Sequence, residues 1–215
     1  MAILIPAILT KDSDEYYEKL GFLEEIPEIS EAHIDFEDGV FVPNATFLPK
    51  NLRQQSSRIR AEAHLMVSRP EKYFSELEHF SVKTVHLHHE SFANIHDLVT
   101  AVRNAKHLGF RVGVAVNPET DISVFDGIAD QIDIAMLMSV HPGFQGAKFL
   151  PESLDRLQAL RVKYPKLPLE IDGGIKLDNI EAVRAHGADR IVVGSGVWQN
   201  KDVKGAIYEL LNKIK

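Results

Sequence analysis

Eight short runs of aliphatic and β-branched residues recur along the chain at intervals of roughly 20–35 residues, each short enough for a buried strand and too short for a helix. They are Ile3–Pro6, Ala32–Phe36, Ala61–Val67, Thr84–His88, Val112–Val116, Ile132–Met138, Leu169–Ile171 and Ile191–Val193. Amphipathic segments lie between them at Asp12–Glu25, Glu71–Phe80, Ile95–Leu108, Pro151–Lys163 and Leu177–His186, with a last one at Val203–Ile214. Gly187 follows the fifth, where a helix C-terminus expects a glycine. Strands alternating with helices run parallel and are joined by crossovers, and eight repeats favour closure into a single (β/α)8 TIM barrel, an α/β fold, over residues 1–215. An open doubly wound sheet would carry a glycine fingerprint after its first strand, and Ile5-Pro6-Ala7-Ile8-Leu9 contains no glycine. No Pro/Gly/Ser-rich linker, low-complexity tract or long charge run divides the chain, so one domain is expected.

Composition narrows the chemistry. Of 215 residues, 45% are hydrophobic and 26% charged, the proportions of an ordinary globular protein. Lys and Arg number 24 against 31 Asp and Glu, a formal charge of −7 that argues against a nucleic-acid partner. There is no cysteine, which excludes disulfides, thiolate zinc sites and cysteine nucleophiles; any metal must be held by His, Asp or Glu. The apolar run Met1–Leu9 has no basic flank and meets Lys11-Asp12-Ser13-Asp14 directly, unlike a secretory signal. No segment approaches the ~20 apolar residues of a membrane span, so a cytoplasmic enzyme or binding protein, not associated with membranes, is expected.

In a barrel the active site is assembled where the strands end, so each run is read at its last residues. In the second, period-two alternation sets His33, Asp35 and Glu37 on one face with Ile34 and Phe36 on the other. The third carries His64, and the seventh runs through Asp172 into Gly173-Gly174. Taken singly, each has a plain structural explanation as a turn cap or a core histidine. Together, two imidazoles and two carboxylates from three strands form an N₂O₂ set for one divalent ion per chain, with Zn²⁺ first and Fe²⁺, Mn²⁺ or Co²⁺ as alternatives. Glycine-rich loops follow strand six (Gly143-Phe144-Gln145-Gly146), strand seven (Gly173-Gly174) and strand eight (Gly194-Ser195-Gly196). The loops after strands seven and eight are where this architecture places a phosphate, held by oriented backbone N–H groups.

At this point the residues resemble one family, the ribulose-phosphate 3-epimerases. The resemblance runs through Asp35-Phe36-Glu37-Asp38-Gly39-Val40-Phe41-Val42-Pro43-Asn44, His64-Leu65-Met66-Val67, Asn117-Pro118-Glu119-Thr120, Met138-Ser139-Val140-His141-Pro142-Gly143-Phe144 and Asp172-Gly173-Gly174, in family order across nearly the whole chain. It implies a metal-dependent barrel that interconverts ribulose 5-phosphate and xylulose 5-phosphate. It further implies His33, Asp35, His64 and Asp172 as metal ligands, Asp35 and Asp172 as the acid–base pair, and Met66 and Met138 as pocket-lining methionines. The segment Gly143–Gly146 with Gly173, Gly174, Gly194 and Ser195 would then serve the phosphate and substrate. Inverting a carbon beside a ketone needs a proton removed from one face and returned to the other, which calls for two carboxylates flanking the substrate.

Three departures bear on the pocket. The family's Pro-Ser-Ile-Leu becomes Pro6-Ala7-Ile8-Leu9, Glu37 stands where it carries methionine, and its glutamate after strand four falls at His88. The loop after strand six also differs, at Gln145 and Ala147. Ala7, Glu37 and His88 are therefore the candidate specificity positions, and the partner expected is a phosphorylated ketose, ribulose 5-phosphate first among them. A Schiff-base aldolase would want a lysine at a strand end, whereas Lys83 precedes strand four and Lys148 lies in a loop. A non-catalytic sugar-phosphate sensor is favoured by Ala7 and Glu37 and opposed by both retained aspartates. Whether copies of the chain associate is left open.

Overall fold

The computed structural model describes residues 2–80, 82–143 and 146–215; Phe144 and Gln145, two of the expected substrate-loop residues, lie outside them. The strands are β1 (Ile3–Ile8), β2 (Glu31–Glu37), β3 (Arg60–Met66), β4 (Val82–His88), β5 (Arg111–Val116), β6 (Ile134–Met138), β7 (Leu169–Asp172) and β8 (Arg190–Val193). They pair in sequence order, all parallel, and β1 also pairs with β8, closing the barrel. The helices are α1 (Ser13–Glu24), α2 (Phe74–Glu78), α3 (Ile95–His107), α4 (Glu152–Lys163), α5 (Ile180–Ala185), α6 (Ser195–Trp198) and α7 (Val203–Lys213). No described helix is long and apolar enough to cross a membrane.

All eight expected strands are present, and the differences lie at element ends. β1 continues to Ile8 because Ala7 and Ile8 pair with His33 and Ile34. The expected helix over 71–80 shrinks to α2, since Pro70 opens a 3₁₀ turn through Tyr73 before the α-helical turn forms. A 3₁₀ turn, Ile122–Gly127, takes the place of a crossover helix between β5 and β6.

Alternation along the strands separates two interiors. Ile34, Phe36, Leu65, Val85 and Leu87 are fully buried in the apolar layer between sheet and helices. The opposite faces of β2, β3, β4, β7 and β8 carry His33, Asp35, Glu37, Glu62, His64, His86, His88, Glu170 and Arg190, every one of them buried. A lumen with this many ionisable groups holds only if each charge is answered, because an isolated buried charge costs several kcal/mol after relaxation. Arg190 is the central cation. It donates to Glu170 Oε2 at 2.5 Å, to Glu31 Oε2 at 2.7 Å and to Glu62, while Arg60 reaches Glu31 from the surface at 2.8 Å.

Replacing Arg190 with leucine strands three carboxylates at the barrel floor. The expected cost is about 3–5 kcal/mol, the usual result of removing one partner of a buried ion pair. Urea unfolding of wild type and variant checks it; equal midpoints would show that the guanidinium does not hold this floor together.

Candidate active site and metal centre

Register sets the mouth of the barrel. Asp35 pairs with His64 across β2 and β3, and Met138 pairs with Asp172 across β6 and β7, so two aspartates on facing walls converge above the same methionine-lined floor. His33 Nε2 lies 3.4 Å from Asp35 Oδ1; His64 Nδ1 lies 3.0 Å from Asp35 Oδ1 and 3.7 Å from Asp172 Oδ2. One ligand atom from each of His33, Asp35, His64 and Asp172 falls within 4.8 Å of the others, as the sequence expected of a metal set.

The tautomers of these rings follow from their other neighbours. His33 Nδ1–H donates to Glu62 Oε1 at 2.7 Å, so the remaining nitrogen, Nε2, faces the mouth; it has no hydrogen-bond partner among the described residues. A carboxylate on the far nitrogen is the usual support of a metal-binding imidazole. His64 is fixed through a longer chain. Burial opposes ionisation of Glu90, but hydrogen bonds from His88 Nδ1–H at 3.3 Å, the Thr120 hydroxyl and Asn117 N–H outweigh it and bring its pKa down to about 2. His88 Nε2 then accepts from His64 Nε2–H at 2.8 Å, which leaves His64 Nδ1 bare toward Asp35. A lone pair and a carboxylate oxygen facing each other at 3.0 Å need a cation or a proton between them. The donor set therefore fits a divalent ion.

Electrostatics drives the two aspartates apart. Burial opposes ionisation of Asp35, but the His33 and His64 rings beside it outweigh that and hold this carboxyl well below the usual range. Burial pushes Asp172 up to about 7, with Asp35 and Glu170 adding to the effect against the pull of His33. His64 is held neutral by burial, its pKa down to about 3. Glu37 is raised to about 8 by burial and the nearby Asp35; its Oε2 accepts from Asn44 Nδ2 at 2.7 Å and its Oε1 has no partner among the described residues.

A cleft opens above these groups. Its lower wall is formed by Ala7, Asp35, Glu37, Met66, Met138 and Asp172, its rim by Gly143, Gly146, Gly173, Gly174, Gly194 and Ser195. Close packing of the rim loops requires glycine: a Cβ on Gly173 would sit 2.4 Å from Val140 Cγ2, and one on Gly174 2.5 Å from the Phe149 nitrogen, both at positive φ. Ser139 ties the loop down by donating to the Asp172 and Gly173 carbonyls. His88 does not line the cleft; it stacks behind His64 with ring centroids 4.9 Å apart. A carboxylate does stand just after β4, at Glu90. Sequence reasoning passed over Glu62, Glu90 and Asn44. For Glu62 the signal was there, since it shares the inward alternation of β3 with His64.

A sequence model of the ribulose-phosphate 3 epimerase family matches residues 3–198. The ribulose-phosphate 3-epimerase of Aquifex aeolicus is 37% identical over 185 residues, which is 83% of this chain and 82% of that one. The ribulose-phosphate 3-epimerase of Escherichia coli K12 is 32% identical over 189 residues, covering 85% and 83%. Among solved structures, a 3-hexulose-6-phosphate synthase superposes with a TM-score of 0.71 at 17% identity, covering 99% of this chain and 100% of that one; at that identity the likeness shows the barrel alone.

Glu37 sets a pH dependence on the metal-free protein. Folded, it keeps its proton up to about 8; unfolded, it releases it near 4.5, so between these values the folded state binds more protons and stability falls as pH rises. Glu37→Gln removes that slope. Melting temperatures of the chelator-treated proteins should coincide near pH 5 and separate in favour of the variant at pH 8, by about 2–4 °C for each kcal/mol at this chain length. A constant gap across the range would show that Glu37 ionises normally.

Proposed function

The chain belongs to the ribulose-phosphate 3 epimerase family and is an isomerase acting on a carbohydrate, and from that premise we propose that it inverts the carbon next to the ketone of ribulose 5-phosphate, giving xylulose 5-phosphate. The observation that carries the mechanism is the pair Asp35 and Asp172: two carboxyls on facing walls of one cleft, one held ionised and the other protonated near neutral pH. Environments that push paired carboxyls apart assign a base and an acid. Asp35 removes the proton from one face, Asp172 returns one to the other, and the roles exchange in the reverse direction.

His33, Asp35, His64 and Asp172 would hold one divalent ion, zinc first and iron, manganese or cobalt next, whose Lewis acidity toward the carbonyl makes the carbon acid strong enough to yield its proton. Met66 and Met138 present an apolar floor that keeps water from the carbon between the carboxyls. Gly143, Gly146, Gly173, Gly174, Gly194 and Ser195 line the rim, where backbone N–H groups receive the phosphate.

Substrate preference rests on Glu37 and Ala7, which line the same side of the cleft. The unpartnered Glu37 Oε1 is placed to meet a sugar hydroxyl, and at Ala7 no side-chain hydroxyl competes for it. Glu37→Met combined with Ala7→Ser is expected to move the ratio of kcat/KM toward ribulose 5-phosphate over the best alternative ketose phosphate. Metal content should not change. An unmoved ratio rejects the specificity role.

Turnover and exchange of the substrate proton with deuterated solvent, followed across pentulose and hexulose phosphates, test the reaction itself. Asp35→Asn and Asp172→Asn are each expected to lower kcat by at least about 10²-fold, the usual contribution of a positioned acid or base. Normal turnover in either variant defeats the two-carboxyl mechanism. Tight phosphosugar binding by wild type with neither exchange nor product would leave a sensor instead of an enzyme.

A further inference from the structure

Below the mouth, one layer deeper in the lumen, lies a second set of metal-ligating groups: His33, Glu62, His86 and Glu170, all buried, with one ligand atom each inside a 4.8 Å cluster. His86 is fully buried, and both its ring nitrogens lack a hydrogen-bond partner among the described residues, as does Glu170 Oε1. Orphaned buried polar atoms of this kind call for an unseen partner.

The spacing says what kind. His86 Nε2 lies 3.3 Å from Glu170 Oε1 and 3.5 Å from a Glu62 oxygen, and His33 Nδ1 lies 3.9 Å from Glu170 Oε1. These atoms are poorly aligned for hydrogen bonds to one another. Yet the edge of a tetrahedron whose centre is a cation at about 2.0–2.1 Å from each ligand is roughly 3.3–3.4 Å, close to the first two separations. The second oxygen of Glu170 is tied to Arg190, so its Oε1 is held toward His86 and cannot turn away, while Glu62 is pinned at both oxygens, Oε1 by His33 and Oε2, the one nearest His86, by Arg190. β5 makes room for the ring: a Cβ on Gly113 would fall 2.2 Å from His86 Nδ1. Charge agrees as well. Glu31, Glu62 and Glu170 face Arg190, and among the described residues only Arg60 is added from the surface, so carboxylates outnumber guanidinium groups here.

We propose that His33, Glu62, His86 and Glu170 form a second divalent-cation site beneath the first, and that the two sites share His33, one ring nitrogen facing each. Filling the inner site releases to solvent the Nδ1 proton that His33 donates to Glu62 Oε1, so the ring would bridge the two ions as an imidazolate. The chemistry suits the same borderline ions as the mouth, zinc or cobalt, with nitrogen and oxygen donors. The proposal does not depend on the epimerase reading, because it concerns what the lumen holds and not what the cleft turns over.

The test is metal stoichiometry in the full chain. Chelator-stripped protein is titrated with Zn²⁺ against a chromophoric chelator, and with Co²⁺ by its visible absorption. Wild type should take two equivalents. His86→Gln and Glu170→Gln, which keep polar side chains of similar length, should each take one, and His64→Ala should also take one, at the inner site. One equivalent in wild type, one in His86→Gln and none in His64→Ala would overturn the proposal and leave the mouth site standing. One in wild type, none in His86→Gln and one in His64→Ala would uphold the inner site and overturn the metal assignment at the mouth. Should both inner variants fail to fold, anomalous scattering from zinc-soaked wild-type crystals decides. A peak between His86 and Glu170 is expected, and density at the mouth alone would refute the site.

Discussion

Charge removed from water inside a closed barrel must be answered by opposite charge or by a proton, and the polar half of this structure is arranged around that requirement. A sheet with an edge could let solvent reach its ionisable groups; eight strands hydrogen-bonded in a ring cannot. Arg190 answers the deepest layer, with donors directed to three carboxylates on β2, β3 and β7 and Arg60 joining at Glu31 from the surface. Above it, among the described residues, no lysine or arginine pairs with the lumen carboxylates, and Asp35 and Asp172 face imidazoles, whose charge depends on what else binds them. The floor is thus held by a fixed cation, and the mouth by groups that can exchange a proton for a metal ion.

That gradient explains why paired residues of the same type behave differently. Asp35 is buried and Asp172 half-buried, and they lie close together, but Asp35 Oδ1 lies 3.4 Å from His33 Nε2 and 3.0 Å from His64 Nδ1, while Asp172 sits nearer other carboxylates. The imidazoles are sorted in the same way: His33 rests on Glu62, and His64 is set at the end of the Glu90–His88 chain. Each ring offers the mouth one lone pair, because its far nitrogen is engaged elsewhere.

Much of this was legible in the sequence. Period-two alternation placed His33, Asp35 and Glu37 on one face, and reading strand ends gathered His64 and Asp172 with them; in the structure these residues meet at one point. The deeper layer escaped because strands were read only where they end. Glu62 and Glu170 share faces with His64 and Asp172, yet two residues earlier they looked like ordinary polar entries to a strand. Arg190 was hidden more thoroughly: it opens β8, where an exposed arginine is common, and its partners come from strands far away in sequence. Pairings at that separation leave no local pattern. The short crossovers after β3 and β5 were hard to read for the opposite reason, since 3₁₀ turns carry too few residues for a periodicity to show.

Glu37 shows how the same constraint reaches substrate recognition. A carboxylate beside an anionic enediolate would raise the energy of the species the site has to stabilise, which is why an apolar residue is the simpler choice there. Its burial and the neighbouring Asp35 favour the protonated form, and Asn44 fixes one oxygen so that the other faces the cleft. In that state the side chain adds no charge to the mouth. It adds a polar group whose position is set by β2 and whose proton can be donated, so under the proposed mechanism it would discriminate among sugar hydroxyls without opposing charge developed between Asp35 and Asp172. The lumen tolerates a third carboxyl at the cleft because it keeps that carboxyl neutral.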